Sequence, residues 1–431
     1  MASPTPRIYR SALLNPQGPD HWDFIPDGAC AVRDGRIVAM GHARDVVRLY
    51  GSPVETEDLE GVLVPGFADL HCHWVQHAVQ GRYAGELLDW LEQHIWTEEA
   101  RYLDPGVARP AVQDFYRNTL RAGTVMGMSF SSVHAGALHA AMEEMRGDWI
   151  VGNVLMPCNA PRELREYSLH AEEALQGLVS GLDRNRYAVT PRFAPNMDPL
   201  WLQVAARIAS RNHLPVQTHL AESRAEVAWV RKMYPGAGSY TEVYDRAGLV
   251  GRRSVLAHCI EMGRSEWKCL AERQAWVAHC PSSNEALGNG RMPLETLREY
   301  RIPFALGSDI GAGPSHSMLH VMQRFLAVHR AAGIPVQPEE ALFRATAAGA
   351  QAMGRGAVAG SLHPGKRADF VLLPGSPREE REIRGWFGEV VAGSPGELEN
   401  RPLGTWLGGM RTAPAVGGGC PEPGPQTGGT R

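Results

Sequence analysis

Lysine is scarce in this chain: of 431 residues only Lys232, Lys268 and Lys366 carry it, so no element before residue 232 offers an ammonium side chain. Cysteine lacks a pattern. Cys30, Cys72, Cys158, Cys259, Cys269, Cys280 and Cys420 are odd in number and scattered, with no CxxC pair, which argues against a disulfide framework and a thiolate zinc site and leaves them reduced and structural. No apolar run approaches the roughly 20 residues of a membrane span, and residues 1–10 lack the apolar core of a signal peptide, so a cytoplasmic protein with no membrane partner is expected. Charge of one sign is missing too. With 43 basic against 47 acidic residues, a formal charge of −4 and no basic run, nucleic acid is excluded as a partner. No internal repeat is visible.

What is present is an ordinary globular composition, 44% hydrophobic and 21% charged, enough to bury a large core in two domains or fewer. Residues 28–40 form two short apolar segments around Asp34-Gly35, a β-hairpin pattern. From about residue 61, short apolar runs alternate with amphipathic stretches of helical length, as buried parallel strands and their crossover helices do. The runs are 62–73, 124–130, 149–156, 187–193, 215–222, 254–259, 276–281 and 302–309, with helix-like segments such as 112–121, 200–211 and 223–234 between them. Eight such units, without a GxGxxG after an early strand, predict an α/β fold of the (β/α)8 TIM-like barrel type rather than an open doubly wound sheet. A helix over 343–353 and a turn and strand over 365–373 follow. The C-terminal strand should join the N-terminal hairpin, because short strands need partners. The expected organisation is a small β-sandwich domain built from residues 1–60 and 356–410, a barrel over 61–355, and a disordered Gly/Pro-rich tail at 411–431.

In such a barrel reactive side chains gather at the carboxyl ends of the strands. The first run closes on His71-Cys72-His73, the fifth on His219-Leu220-Ala221-Glu222, the sixth on His258 and the eighth on Asp309. Residues two apart in a strand face the same side, so His71 and His73 project together while Cys72 points away. With His219 and Asp309 they make three imidazoles and a carboxylate, a set suited to one divalent metal, zinc (Zn2+) or ferrous iron (Fe2+). A single histidine at a strand end is usually a hydrogen-bonded rim residue; four such residues at three strand ends argue together for a metal. His134, His139, His213, His320 and His329 read as packing or surface residues, and His77, His94 and His316 are left open.

The segment Pro65-Gly66-Phe67-Ala68-Asp69-Leu70-His71-Cys72-His73, the later histidines and the aspartate of the eighth strand resemble the amidohydrolase superfamily over nearly the whole chain, the tail excepted. Within it, Thr190-Pro191-Arg192-Phe193-Ala194-Pro195, Gln217-Thr218-His219-Leu220-Ala221-Glu222, His279-Cys280-Pro281-Ser282-Ser283-Asn284 and Ser308-Asp309-Ile310-Gly311-Ala312-Gly313 are similar to the guanine deaminases. Three features depart from that pattern: a shorter loop between Gln76 and Leu87-Leu88-Asp89-Trp90-Leu91, Cys259 where a small residue such as glycine is frequent, and Glu285 where an apolar residue is usual. Many superfamily members bridge two metals with a carbamylated lysine on the fourth strand. None exists here, so a mononuclear site is expected.

The resemblance implies hydrolytic deamination of guanine to xanthine and ammonia in purine catabolism, by a homodimer. The runner-up is an aminohydrolase acting on another heterocycle: 8-oxoguanine, a pterin or a triazine. It implies Asp309 as metal ligand and acceptor of the water proton, Glu222 as proton donor to a ring nitrogen and then to the leaving ammonia, and His258 as a neutral donor that orients hydroxide. Arg192 and Gln76 would read the purine edge and Phe193 would pack on the ring. Plainer readings exist: a helix N-terminal carboxylate for Glu222, a salt bridge for Arg192, core packing for Phe193. A catalytically silent scaffold is the competing class. The intact set His71, His73, His219, Glu222, His258 and Asp309 argues against it.

Overall fold

The computed structural model describes residues 5–51, 54–83, 86–165 and 170–412. The tail predicted at 411–431 therefore lies outside the described residues from 413 onward. Among the described residues there are fifteen strands: β1 (Arg7–Pro16), β2 (Trp22–Arg33), β3 (Arg36–His42), β4 (Thr56–Pro65), β5 (Phe67–His73), β6 (Thr124–Ser131), β7 (Asp148–Leu155), β8 (Thr190–Pro191), β9 (Val216–Leu220), β10 (Ser254–His258), β11 (Trp276–His279), β12 (Phe304–Leu306), β13 (Phe370–Leu373), β14 (Gly404–Leu407) and β15 (Met410–Arg411).

β5 to β12 correspond to the eight predicted barrel strands, except that the run 62–73 is divided at Gly66: residues 62–65 end β4 in the terminal sheet and only Phe67–His73 enters the barrel. They run as two parallel four-stranded ladders, β5-β6-β7-β8 and β12-β11-β10-β9. A bridge between Val189 and Val216 joins the ladders on one side. On the other, Asp309 N–H donates to His71 O and His73 N–H to Ile310 O, each at 2.8 Å. The backbones approach closely at that seam: a Cβ on Gly307 would lie 2.9 Å from the His71 Cβ, so only glycine fits. β8 is the shortest of the barrel strands because Pro191 has no N–H to donate to a ladder.

The crossover helices follow the amphipathic segments. The segment 112–121 is the end of a longer helix, Pro105–Arg121, begun by Asp104, whose carboxylate accepts from Gly106 N–H at 2.8 Å. Ser223 and Glu226 form a reciprocal capping box at the start of Arg224–Met233. The single helix expected over 343–353 is instead two, Pro338–Arg344 and Ala347–Ala352. The break is at Thr346, whose φ of −137° and ψ of −91° are not helical and whose hydroxyl donates to Leu342 O at 2.6 Å.

The terminal segments form one seven-stranded sheet in the order β15-β14-β13-β4-β1-β2-β3. Asp34 and Gly35, with φ of 51° and 75°, make the β2–β3 turn. The two layers expected of this unit are halves of that sheet curled onto itself: Ile37 N–H in the outer strand β3 donates to Lys366 O at 2.9 Å, just ahead of β13. Between the halves Phe370 stacks on Trp406 at 5.3 Å, and Tyr9 meets Phe370 edge-on at 5.4 Å. Among the described residues, no helix is long and apolar enough to cross a membrane.

Candidate active site

The carboxyl ends of β5, β9 and β12 converge on four buried side chains. His71, His73, His219 and Asp309 each present a ligand atom, and these atoms lie within 4.8 Å of one another. His73 Nε2 is 3.1 Å from His219 Nε2, and Asp309 Oδ1 is 3.3 Å from His71 Nε2 and 3.5 Å from His73 Nε2. His71 Nε2 is fully enclosed yet has no hydrogen bond of proper geometry. His219 Nδ1 donates to Arg192 O at 2.6 Å, which fixes the tautomer and leaves the Nε2 lone pair free toward the cluster. Burial lowers the pKa of His71 and pushes His73 and His219 well below the usual imidazole range, the last two with added repulsion from neighbouring histidines. Asp309 stays below its ordinary value: burial opposes ionisation, but the nearby His71 and His258 imidazoles outweigh it. Three neutral imidazoles and one carboxylate aimed at a common point suit one divalent cation.

Glu222 and His258 stand beside this cluster, together with Asp309. Strict alternation from His219 would turn Glu222 to the other face. Ala221 breaks it with a left-handed φ of 51°, and Glu222 enters the site. His258, Cys259 and Asp309, with φ of 72°, 51° and 52°, are left-handed as well, so three strand ends turn sharply where their side chains must aim inward. Cys259, a departure from the family pattern, thus occupies a conformation that glycine adopts freely. Glu222 Oε2 is 3.5 Å from His258 Nε2, and its Oε1 accepts from Asn289 Nδ2 at 2.8 Å. Burial, then the nearby Asp309 and Glu226, raise its pKa well above the usual carboxylate range. His258 Nδ1 faces Asn284 Oδ1 at 2.9 Å and donates to it.

Above the cluster lies a pocket walled by Gln76, Arg192 and Phe193 together with Leu87, Trp90 and Leu91. All three residues expected to meet a ring are therefore at one place. The plainer readings hold beside the functional ones, for Arg192 is also in a buried ion pair with Glu99 and Phe193 also packs in the apolar cluster containing Trp90. Cys72 points away, its Sγ donating to Met128 O at 3.6 Å.

Three residues of the site had gone unassigned. Asp69 accepts from the backbone N–H of His71 and from both N–H and Oγ of Ser308, tying β5 to the segment that carries Asp309. Burial raises its pKa to about 6. Alternation 69, 71, 73 was a signal that could have found it. Asn284 and Glu99 left weaker traces, a motif position and one acid of a helical Glu-Glu pair.

The family model described as the amidohydrolase family matches residues 62–393. The chain is 34% identical over 371 residues to a guanine deaminase of Escherichia coli (strain K12), covering 84% of each chain. It is 36% identical over 390 residues to a probable guanine deaminase of Deinococcus radiodurans, covering 85% of this chain and 88% of that one. A crystal structure of guanine deaminase from Bradyrhizobium japonicum superposes with a TM-score of 0.89 at 26% identity, covering 95% and 99% of the two chains.

Proposed function

The chain belongs to the amidohydrolase family, and on that footing we propose that it is a guanine deaminase, a metal-dependent aminohydrolase converting guanine and water to xanthine and ammonia. The observation that carries this reading is one pocket in which a cation-binding cluster and a carboxyl of raised pKa, Glu222, face two polar residues able to pair with a purine edge, Arg192 and Gln76. Relatives named guanine deaminase, at 34% and 36% identity over most of the chain, support the choice of ring.

A divalent cation on His71, His73, His219 and Asp309, which we take to be zinc, supplies Lewis-acid activation of water when bound. Arg192 and Gln76 fix the ring with C2 toward the cluster, and Phe193 covers it. Water adds at C2, the bond from C2 to the exocyclic nitrogen breaks, and that nitrogen leaves as ammonia. Asp309, ionised at neutral pH, accepts a proton from the attacking water. Glu222, kept protonated by burial, donates to a ring nitrogen as the addition proceeds and then relays a proton to the departing nitrogen. His258, between the two carboxyl groups at 3.5 Å and 3.9 Å, orients the water and the protons moving through them.

Ammonia release by purified, metal-quantified protein, with guanine and with 8-oxoguanine, pterin and a triazine in parallel, tests the reading. Release from guanine in proportion to bound metal is expected. Turnover of another ring with none of guanine would reject the substrate and keep the chemistry.

A further inference from the structure

Glu99 does not line the pocket, yet it joins the two polar residues that do. It lies in the short helix Trp96–Ala100 and is fully buried. Its Oε1 accepts from Gln76 Nε2 at 2.7 Å and from Arg192 Nη1 at 2.8 Å, and its Oε2 accepts from the same Arg192 nitrogen at 2.6 Å. The placement is built by one continuous helical run. Leu87 and Leu91 line the pocket, Ile95 packs with them, and Glu99 follows at the same spacing of four. Residues four apart drift around an ordinary α-helix. The wider π turn at Leu91–Ile95 offsets that drift and brings Glu99 behind Arg192.

A primary amide has two ends of nearly equal shape and opposite hydrogen-bonding character, so a half-turn about its last bond inverts donor and acceptor without steric change. A carboxylate only accepts. Facing Glu99, Gln76 can present its nitrogen but not its oxygen, and the amide has one orientation. Glycine at 311 leaves room for the amide, since a Cβ there would lie 3.0 Å from Gln76 Oε1. Glu99 likewise commits one nitrogen of Arg192 and leaves the remaining N–H donors for the pocket. We propose that Glu99 is a specificity-determining positioning residue: it locks the donor–acceptor order of Gln76 and Arg192 so that the pocket accepts a purine with a lactam edge, N–H beside C=O, and rejects the isosteric amidine edge, C=N beside C–NH2. The proposal rests on the reading above in one respect, that Gln76 and Arg192 meet the ring.

The test compares rings differing only at that edge. Guanine and 2,6-diaminopurine share the amino group at C2, and hypoxanthine and adenine are the matching pair without it. Wild-type protein should favour guanine over 2,6-diaminopurine by about a thousandfold or more in kcat/KM, as sites built from buried polar groups do. It should also bind hypoxanthine more tightly than adenine by calorimetry. Glu99→Gln keeps the volume and supplies one donor and one acceptor, so Gln76 can face it with either end. Both ratios should then shrink at least tenfold with metal content unchanged. If Glu99→Gln does not fold, Gln76→Met removes the locked amide while leaving the Glu99–Arg192 pair, and the same narrowing is expected. Equal losses for both members of a pair, with the ratio preserved, would reduce Glu99 to a structural residue and overturn the proposal. No wild-type preference for hypoxanthine would overturn it too. Absence of guanine turnover, with a hypoxanthine preference that Glu99→Gln erodes, would sink the deaminase reading and leave the lock standing.

Discussion

The two walls of the pocket are built in different ways. On the cation side every residue comes from a strand end, held by the barrel itself: His71 and His73 from β5, His219 from β9, His258 from β10, Asp309 just past β12. On the recognition side Gln76, Arg192 and Phe193 come from the turns after strands, and Glu99 comes from a helix in a crossover. A rigid ladder sets the geometry of the chemistry, while a buried ion pair between a helix and a turn sets what is admitted. Two walls so built should fail separately, and that independence can be tested.

The largest effect is expected on the cation side. His71→Ala or Asp309→Ala should remove stoichiometric metal, and with it several kcal/mol of transition-state stabilisation, about ten-thousandfold or more in kcat. Elemental analysis beside the rate checks it. Full metal content in either variant would take that residue out of the ligand set. Next comes Glu222→Gln, which should bind metal and substrate and lose roughly a hundredfold to ten-thousandfold in kcat, the range of a lost general acid. Turnover at the wild-type rate would strike Glu222 from the mechanism.

Arg192→Ala probes the other wall. KM should rise on the order of tenfold to a hundredfold with metal content kept, which would show the walls to be separable. The variant should also unfold more readily, because it strands the buried carboxylate of Glu99, and breaking such a pair costs about 3–5 kcal/mol. Metal loss that matched the loss of affinity would mean that the carbonyl of Arg192, which orients His219, couples the two walls after all.

This contrast also explains what could be read from residues alone. The barrel strands were legible as short apolar runs, and the pair His71 and His73 by the period of two, both local signals. Glu222 was named through resemblance, but alternation put it on the wrong face, since a left-handed alanine is invisible to a pattern of apolar residues. Glu99 left only a weak trace: beside Glu98 it resembles any solvent-facing helical acid, and the arginine it pairs with lies 93 positions away. Asp69 sat in view within the quoted motif, but its partner Ser308 is 239 residues distant. Pattern reveals what a ladder holds; long-range ion pairs leave no mark on their neighbours.

The smallest expected effect concerns acid, and asks whether the cation side alone makes the fold acid-sensitive. His320, on the helix Met318–Ala331, is buried outside the site, and its pKa falls to about 4 through burial and the charge of Arg324. Its folded value lies below the unfolded one of about 6.5, so between those values the unfolded chain binds the proton and the native chain does not. Its contribution is therefore whole above pH 6.5 and lost as pH falls toward 4. In metal-free protein, urea unfolding at pH 7 and pH 5 should show wild type losing more stability than His320→Gln by on the order of 1–2 kcal/mol. Equal losses would take His320 out of the acid response. A flatter profile in the variant would instead spread that response into the helical layer behind it, so that acid weakens the scaffold of both walls together.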